Sequence, residues 1–183
     1  MNKKSIRTLS SLALAVVTAS SGAYAAELEE IIVTAQKRAE SLQEVPVSLT
    51  AISGAKIEEA GLHSFAELST YVPNLSITEN AVNTIIEMRG ISIGANQSFE
   101  QSVGVFVDGV HYGKSRQIRT GLFDIQQAEV VRGPQGVLFG KNTLAGAINI
   151  TTATPETDQE FGGKLSVSKE SYDGTVMQGH ITG

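Results

Sequence analysis

The 183-residue chain has no cysteine and no tryptophan. Without cysteine there is no disulfide framework, no thiol nucleophile, no iron–sulfur ligation and no cysteine zinc site. Aromatic residues make up only 5% of the chain, and no apolar run approaches the roughly 20 residues that a membrane-spanning helix requires. Positive charge is scarce: 14 Lys and Arg stand against 19 Asp and Glu, for a net charge of -5. If Lys3, Lys4 and Arg7 leave with an amino-terminal leader, 11 basic residues face 19 acidic ones and the charge falls to -8. That balance argues against a partner that must be neutralised along a phosphate backbone, so no nucleic acid is expected. What is plentiful is glycine, 18 residues, and a 41% hydrophobic fraction, enough for one domain with a filled core plus appendages.

The first 25 residues carry the leader. Lys3, Lys4 and Arg7 precede an apolar stretch from Leu9 to Val17, and Ala23-Tyr24-Ala25 follows. This charged, apolar, small-residue order predicts a secretory signal peptide cleaved after Ala25 and an exported mature protein. Strands that cross an outer membrane alternate in polarity and escape hydropathy scans, so export leaves that location open.

Residues 26–45 read as an extended, mobile tail, because Ile31, Ile32, Val33 and Thr34 form a β-branched cluster among charges with no hairpin partner nearby. Residues 46–153 read as a compact domain. A short strand begins at Val47, and Ser53 or Gly54 caps a short helix that stops at Gly61. Ser64-Phe65-Ala66-Glu67 has capping-box spacing, in which the hydroxyl and the carboxylate each satisfy an orphan backbone N–H. Strands are expected at 75–78, 85–89, 103–107, 128–132 and 147–151. Asp108-Gly109 marks a hairpin leading to Val110, His111 and Tyr112. Residues 134–139 read as a single helical turn closed by Gly140. Residues 154–160 form a polar linker. After it, Gly163, Leu165 and Val167 alternate with Lys164, Ser166 and Ser168, and Tyr172-Asp173-Gly174 offers a turn.

No residue pattern in the sequence makes a catalytic or cofactor site. The run RGPQGVLFGKNT, residues 132–143, approaches a phosphate-binding loop, but the pattern needs Gly where Gln135 stands and Ser or Thr where Asn142 stands. His63, His111 and His180 are dispersed, without a second ligand at helical or strand spacing, and read as surface or turn residues. No serine lies in a nucleophile elbow, and Asp108 is explained by its turn. Neither catalysis, a metal nor a cofactor is expected. Arg89 and Arg132 stand out, since each cation ends an otherwise apolar strand. Either each pairs locally, Arg89 with Glu87, or each awaits an acidic partner outside the chain.

Four stretches together resemble one family, the plug domain of TonB-dependent receptors of bacterial outer membranes: EEIIVTAQKR (29–38), EMRGI (87–91), VFVDGV (105–110) and AEVVRGPQGVLFGKNTLAGAINI (128–150). The resemblance implies an α+β plug, a small mixed sheet with short helices, followed at residues 161–183 by the first strand or hairpin of an incomplete β-barrel. Such barrels close with about 22 strands, so one hairpin makes no pore. It further implies that Ile31, Ile32, Val33, Thr34 and Ala35 are the TonB box, the segment that pairs with the TonB C-terminal domain, itself energised through ExbB-ExbD. Arg89 and Arg132 would then lock the plug to barrel glutamates. Solute, a small molecule or metal chelate such as a ferric siderophore, would be met by the loops 92–101 and 112–120, with Asn96, Gln97, Phe99, Tyr112, Arg116 and Arg119 as candidates. The complete receptor would sit in the outer membrane and this chain alone in the periplasm. The rival expectations are a free-standing periplasmic module that binds TonB or solute, and, further off, an exported enzyme.

Overall fold

A computed structural model describes residues 31–34, 37–81, 83–94, 100–119, 121–154, 161–169 and 174–182. The predicted signal peptide lies outside the described residues, as do most of the linker and of the last turn. Eleven strands are described: β1 (Ile32–Val33), β2 (Glu40–Ser41), β3 (Ser48–Ser53), β4 (Leu75–Glu79), β5 (Thr84–Met88), β6 (Val103–Val107), β7 (Val110–His111), β8 (Ile125–Arg132), β9 (Gly146–Thr152), β10 (Gly162–Lys169) and β11 (Thr175–Thr182). Three described α-helices of at most six residues accompany them, α1 (Gly54–Glu59), α2 (Phe65–Leu68) and α3 (Gly136–Phe139), with 3-10 turns at Ser69–Tyr71 and Gln117–Arg119.

The expected α+β class holds, with a mixed sheet. Its strand order is β3-β8-β9-β6-β7, antiparallel except that β6 runs parallel to β9, Val103 opposite Gly146. Strands buried on both faces should read as near-continuous apolar runs, and β6, Val-Gly-Val-Phe-Val, does. One sheet face carries Ala128, Val130, Ile148, Ile150, Val103 and Val105 into the main core, where they meet Ile57 of α1, Phe65 and Leu68 of α2, and Ile77, Ile86 and Met88 of the separate β4–β5 hairpin. The other face carries Glu129, Asn149 and Phe106. It is covered in part by α3, whose Phe139 ring lies 4.9 Å from that of Phe106.

The local signals act as expected. Ser53 accepts from Lys56 N at the start of α1, and Ser64 with Glu67 forms the complete capping box of α2. Asp108 and Gly109 both adopt positive φ, 49° and 78°, as a two-residue hairpin of right-handed twist requires. Asp108 adds a tie of its own, accepting from Thr152 N (2.9 Å) and Thr152 Oγ1 (2.8 Å). Gly54 has a different reason to be glycine: a Cβ there would lie 1.9 Å from the carbonyl oxygen of Ile125. That contact lets α1 press onto β8.

Strands β10 and β11 form their own antiparallel pair, with Val167 opposite Met177 and Leu165 opposite Gly179. The predicted alternation holds. Phe161, Leu165, Val167, Met177 and Ile181 are all exposed on one face. On the other, Lys164 pairs with Glu58 of α1, and His180 Nδ1 stands 3.6 Å from Asp124 Oδ1.

Candidate functional site

The amino-terminal arm departs from its expectation. Rather than lying free, Ile32 and Val33 pair antiparallel with Ser41 and Glu40 across a turn in which Lys37 takes φ 58° and Lys37 N donates to Thr34 O (2.7 Å). Val33 is 1% exposed, whereas Ile32 is 45% exposed. The sequence hid this pairing because strand β2 is two residues long and charged, and because the arm's second anchor is 95 residues away. That anchor is Glu129, a carboxylate 1% exposed in the middle of β8. Its Oε1 accepts from Thr34 N (2.5 Å), Thr34 Oγ1 (3.3 Å) and Gln127 Nε2 (3.0 Å), and its Oε2 from Asn149 Nδ2 (3.1 Å). Gln127 Nε2 also donates to Ile32 O (3.0 Å). A buried anion costs several kcal/mol unless it is paired or multiply hydrogen-bonded, roughly the situation these neutral donors answer. Ala35 lies outside the described residues.

Arg89 and Arg132 come together at one end of the fold. Arg89 lies just past β5, in a tight turn at φ 52° with Gly90, and its N–H donates to Asn74 O (2.9 Å). The side chain is exposed and passes against Gly133, whose Cβ, were one present, would lie 3.4 Å from Arg89 Nη1. Arg132 Nη1 donates to Pro73 O (3.3 Å), and its buried Nε has no partner. Among the described residues no carboxylate forms an ion pair with either arginine, so the local pairing of Arg89 with Glu87 is not made.

The candidate solute loops separate. Asn96, Gln97 and Phe99 lie outside the described residues. Arg116 is exposed, while Tyr112 is half-buried against the core and its N–H donates to Val105 O (2.7 Å). Arg119 is engaged within the domain. Its guanidinium donates to Thr84 Oγ1 (3.4 Å), Ala81 O (3.4 Å), Asn83 O (3.1 Å) and Asn80 O, clamping the turn between β4 and β5. A solute anion would meet a guanidinium most of whose N–H groups are already taken by these acceptors.

Loop 133–143 is a closed turn and no phosphate cradle. Gly133 N donates to Ala145 O (2.8 Å) and Gln135 N to Thr143 O (2.9 Å), so these N–H groups are used internally. Lys141 Nζ is bound to Glu100 Oε1 (3.0 Å), and that bond, with a smaller contribution from Asn142, holds the Glu100 carboxyl below its ordinary pKa. Contrary to the dispersed spacing in the sequence, His63 and His180 line one pocket together with Asp124, while His111 packs its ring 5.0 Å from Phe106; no group of metal-ligating side chains is found among the described residues.

Against known protein families, the TonB-dependent receptor plug domain matches residues 41–147. The chain belongs to this family. Over 148 residues it is 35% identical to the pesticin receptor of Yersinia pestis, which covers 78% of this chain and 21% of that protein. The chain thus spans about a fifth of the length of the curated relatives it matches. Among solved structures, the ferric yersiniabactin uptake receptor of Yersinia pestis aligns with a TM-score of 0.56 at 33% identity, over 66% of this chain and 18% of that one. The alcaligin outer membrane receptor of Bordetella pertussis shares the fold, with a TM-score of 0.65 at 22% identity over 83% of this chain and 26% of that one. The plug match begins at Ser41 and so leaves the arm outside it. Sequence reasoning missed Glu129, Gln127 and Asn149 as a set. The available signal was a lone carboxylate in the middle of AEVV, where an apolar strand carries a charge only if something satisfies it.

Proposed function

We propose that this plug domain gates an outer-membrane receptor for energised uptake of a scarce nutrient, a ferric siderophore or similar chelate. The observation that carries the reading is the plug match over residues 41–147, with a short β-branched arm directly before it. Ile31, Ile32, Val33, Thr34 and Ala35 act as the TonB box. They add as a strand to the sheet edge of the TonB C-terminal domain, which is driven in turn by ExbB-ExbD, with main-chain hydrogen bonds supplying the affinity. Force on that strand meets its weakest attachment first, the two-residue pairing with β2, before the five-stranded sheet. The plug thereby performs no chemistry on the solute; it opens a path. The role of Arg89 and Arg132 is to pair with barrel carboxylates, a reading supported by two cations at one end of the fold without an ion-pair partner among the described residues. Residues 161–183 begin the barrel, apolar face to lipid and polar face to the plug, which the exposure of Leu165, Val167 and Met177 opposite the Lys164–Glu58 pair supports. Export follows from the leader, with the complete receptor in the outer membrane and this chain by itself in the periplasm. Of the solute candidates, Arg116 is exposed, and Asn96, Gln97 and Phe99 of the loop 92–101 remain candidates with it.

Titration of the mature chain with an isolated TonB C-terminal domain tests the box. Ile32→Pro removes an N–H and should abolish binding, whereas Ile32→Val should leave it nearly unchanged. Full binding by Ile32→Pro would refute the assignment.

A further inference from the structure

Strand β1 has two edges, and the backbone groups on them alternate. On one edge Ile31 O receives Leu42 N (3.0 Å), beside β2. On the other, Ile32 O receives Gln127 Nε2 and Thr34 N donates to Glu129 Oε1. Alternate residues of a strand present their hydrogen-bonding groups to the same side, so Ile32 and Thr34 offer the acceptor and donor that a neighbouring antiparallel strand would take. Here two side chains take them instead. Gln127 and Glu129 are themselves two residues apart on β8, so both project from one face of that strand, towards the arm. Together they supply one donor and one acceptor, the complement of one rung of a sheet.

We infer that Gln127 and Glu129 form a side-chain clasp that occupies the free edge of β1 and competes with any strand added there, so that docking of the arm on the plug and pairing with an external strand exclude one another. Glu129 is the principal member. Thr34 supplies its oxygens with a backbone N–H and a hydroxyl, and when the arm leaves, only Gln127 Nε2 and Asn149 Nδ2 remain of the described donors. The buried carboxylate therefore resists release of the arm, and weakening the clasp makes the edge available. Gln127 and Glu129 are positioning residues, since neither touches the external strand. Identifying that strand as TonB's rests on the function proposed above.

The test uses the whole mature chain and two readouts: amide hydrogen exchange at position 34, and affinity for an isolated TonB C-terminal domain. Glu129→Gln keeps the shape but replaces the anionic acceptor, and should speed exchange at Thr34 about tenfold or more, since hydrogen bonds to charged groups are the stronger ones. Affinity for the TonB domain should rise by a comparable factor, because the fraction of chains with a free edge sets the apparent constant. Gln127→Leu frees only Ile32 O and should give a smaller rise in affinity. If exchange at Thr34 and affinity are both unchanged in folded Glu129→Gln, the clasp is refuted. If exchange accelerates but no form of the chain binds the TonB domain, the clasp stands and the TonB-box reading fails. Should Glu129→Gln not fold, Thr34→Val decides. It lies at an exposed position and removes only the hydroxyl's bonds, so position 34 should exchange about threefold faster after correction for the intrinsic rate, and no change there would overturn the proposal.

Discussion

The central sheet and the carboxy-terminal hairpin each gather apolar side chains on one face of paired strands, yet they use that face in opposite ways. Ile148 and Val130 of the sheet are 0% exposed, whereas Leu165 and Met177 of the hairpin are 72% and 67% exposed. Sheet residues find partners inside the chain, in α1, α2 and the β4–β5 hairpin. The hairpin satisfies its polar face against α1 and Asp124 and leaves its apolar face outward. A row of exposed apolar side chains along one face marks an interaction surface, and lipid is the medium proposed for it above. Alternation thus fixes which residues share a face, while the partner of that face is decided by what the rest of the fold can reach.

The sharpest break of this comparison is a pair of truncations. Ile148→Ala should cost about 2 to 5 kcal/mol by urea denaturation, as deletions in packed cores do, and Leu165→Ala should fall within about 0.5 kcal/mol. The order reverses for polarity at the hairpin: Leu165→Arg should leave the isolated chain almost unaffected, yet in a complete receptor folded into bilayers it should cost about 2 to 4 kcal/mol near the midplane. Next in size, Gly54→Ala drives a methyl into the Ile125 backbone and should lower stability by about 1 to 3 kcal/mol by urea denaturation. Ser64→Ala removes one half of the capping box and should cost about 1 kcal/mol. Arg89→Gln should shift the chain's own stability by no more than about 0.5 kcal/mol, since the side chain is exposed and forms no ion pair among the described residues. In a complete receptor the same change should weaken plug retention, because barrel carboxylates would lose their countercharge.

The smallest effect concerns Glu100. Its carboxyl is held below the ordinary range by Lys141, so the pair contributes above that range and the contribution is lost as pH falls through the lowered value. Both side chains are solvated, so Lys141→Gln should leave the denaturation midpoint at neutral pH unchanged within error and abolish only this weak acid dependence.

Much of the domain was legible because its signals are local. The Ser64–Glu67 box, the Asp108-Gly109 turn and the apolar run of β6 each specify their own geometry within a few residues. The failures share the opposite property. Arm docking joins Thr34 to Glu129 across 95 residues, and the Arg119 clamp joins it to Asn80 across 39. Neither spacing leaves a trace in either segment alone, so a β-branched cluster among charges looked free and a loop arginine looked available. Arg89 was misplaced for a smaller reason: as the next exposed polar residue after Glu87 it extends the in–out alternation of β5 by one position, while its left-handed backbone before Gly90 has already left the strand.

The central claim is that residues 31–35 leave the plug to pair with TonB, and the absence of cysteine makes it directly measurable. Ile32→Cys supplies the chain's only thiol at an exposed position of β1, and its oxidation can be followed against a TonB C-terminal domain carrying a single cysteine on its edge strand. The account predicts a disulfide-linked heterodimer from Ile32→Cys, and none above background from Thr78→Cys, an exposed position on β4. Equal yields from both, or no product from Ile32→Cys, would contradict it.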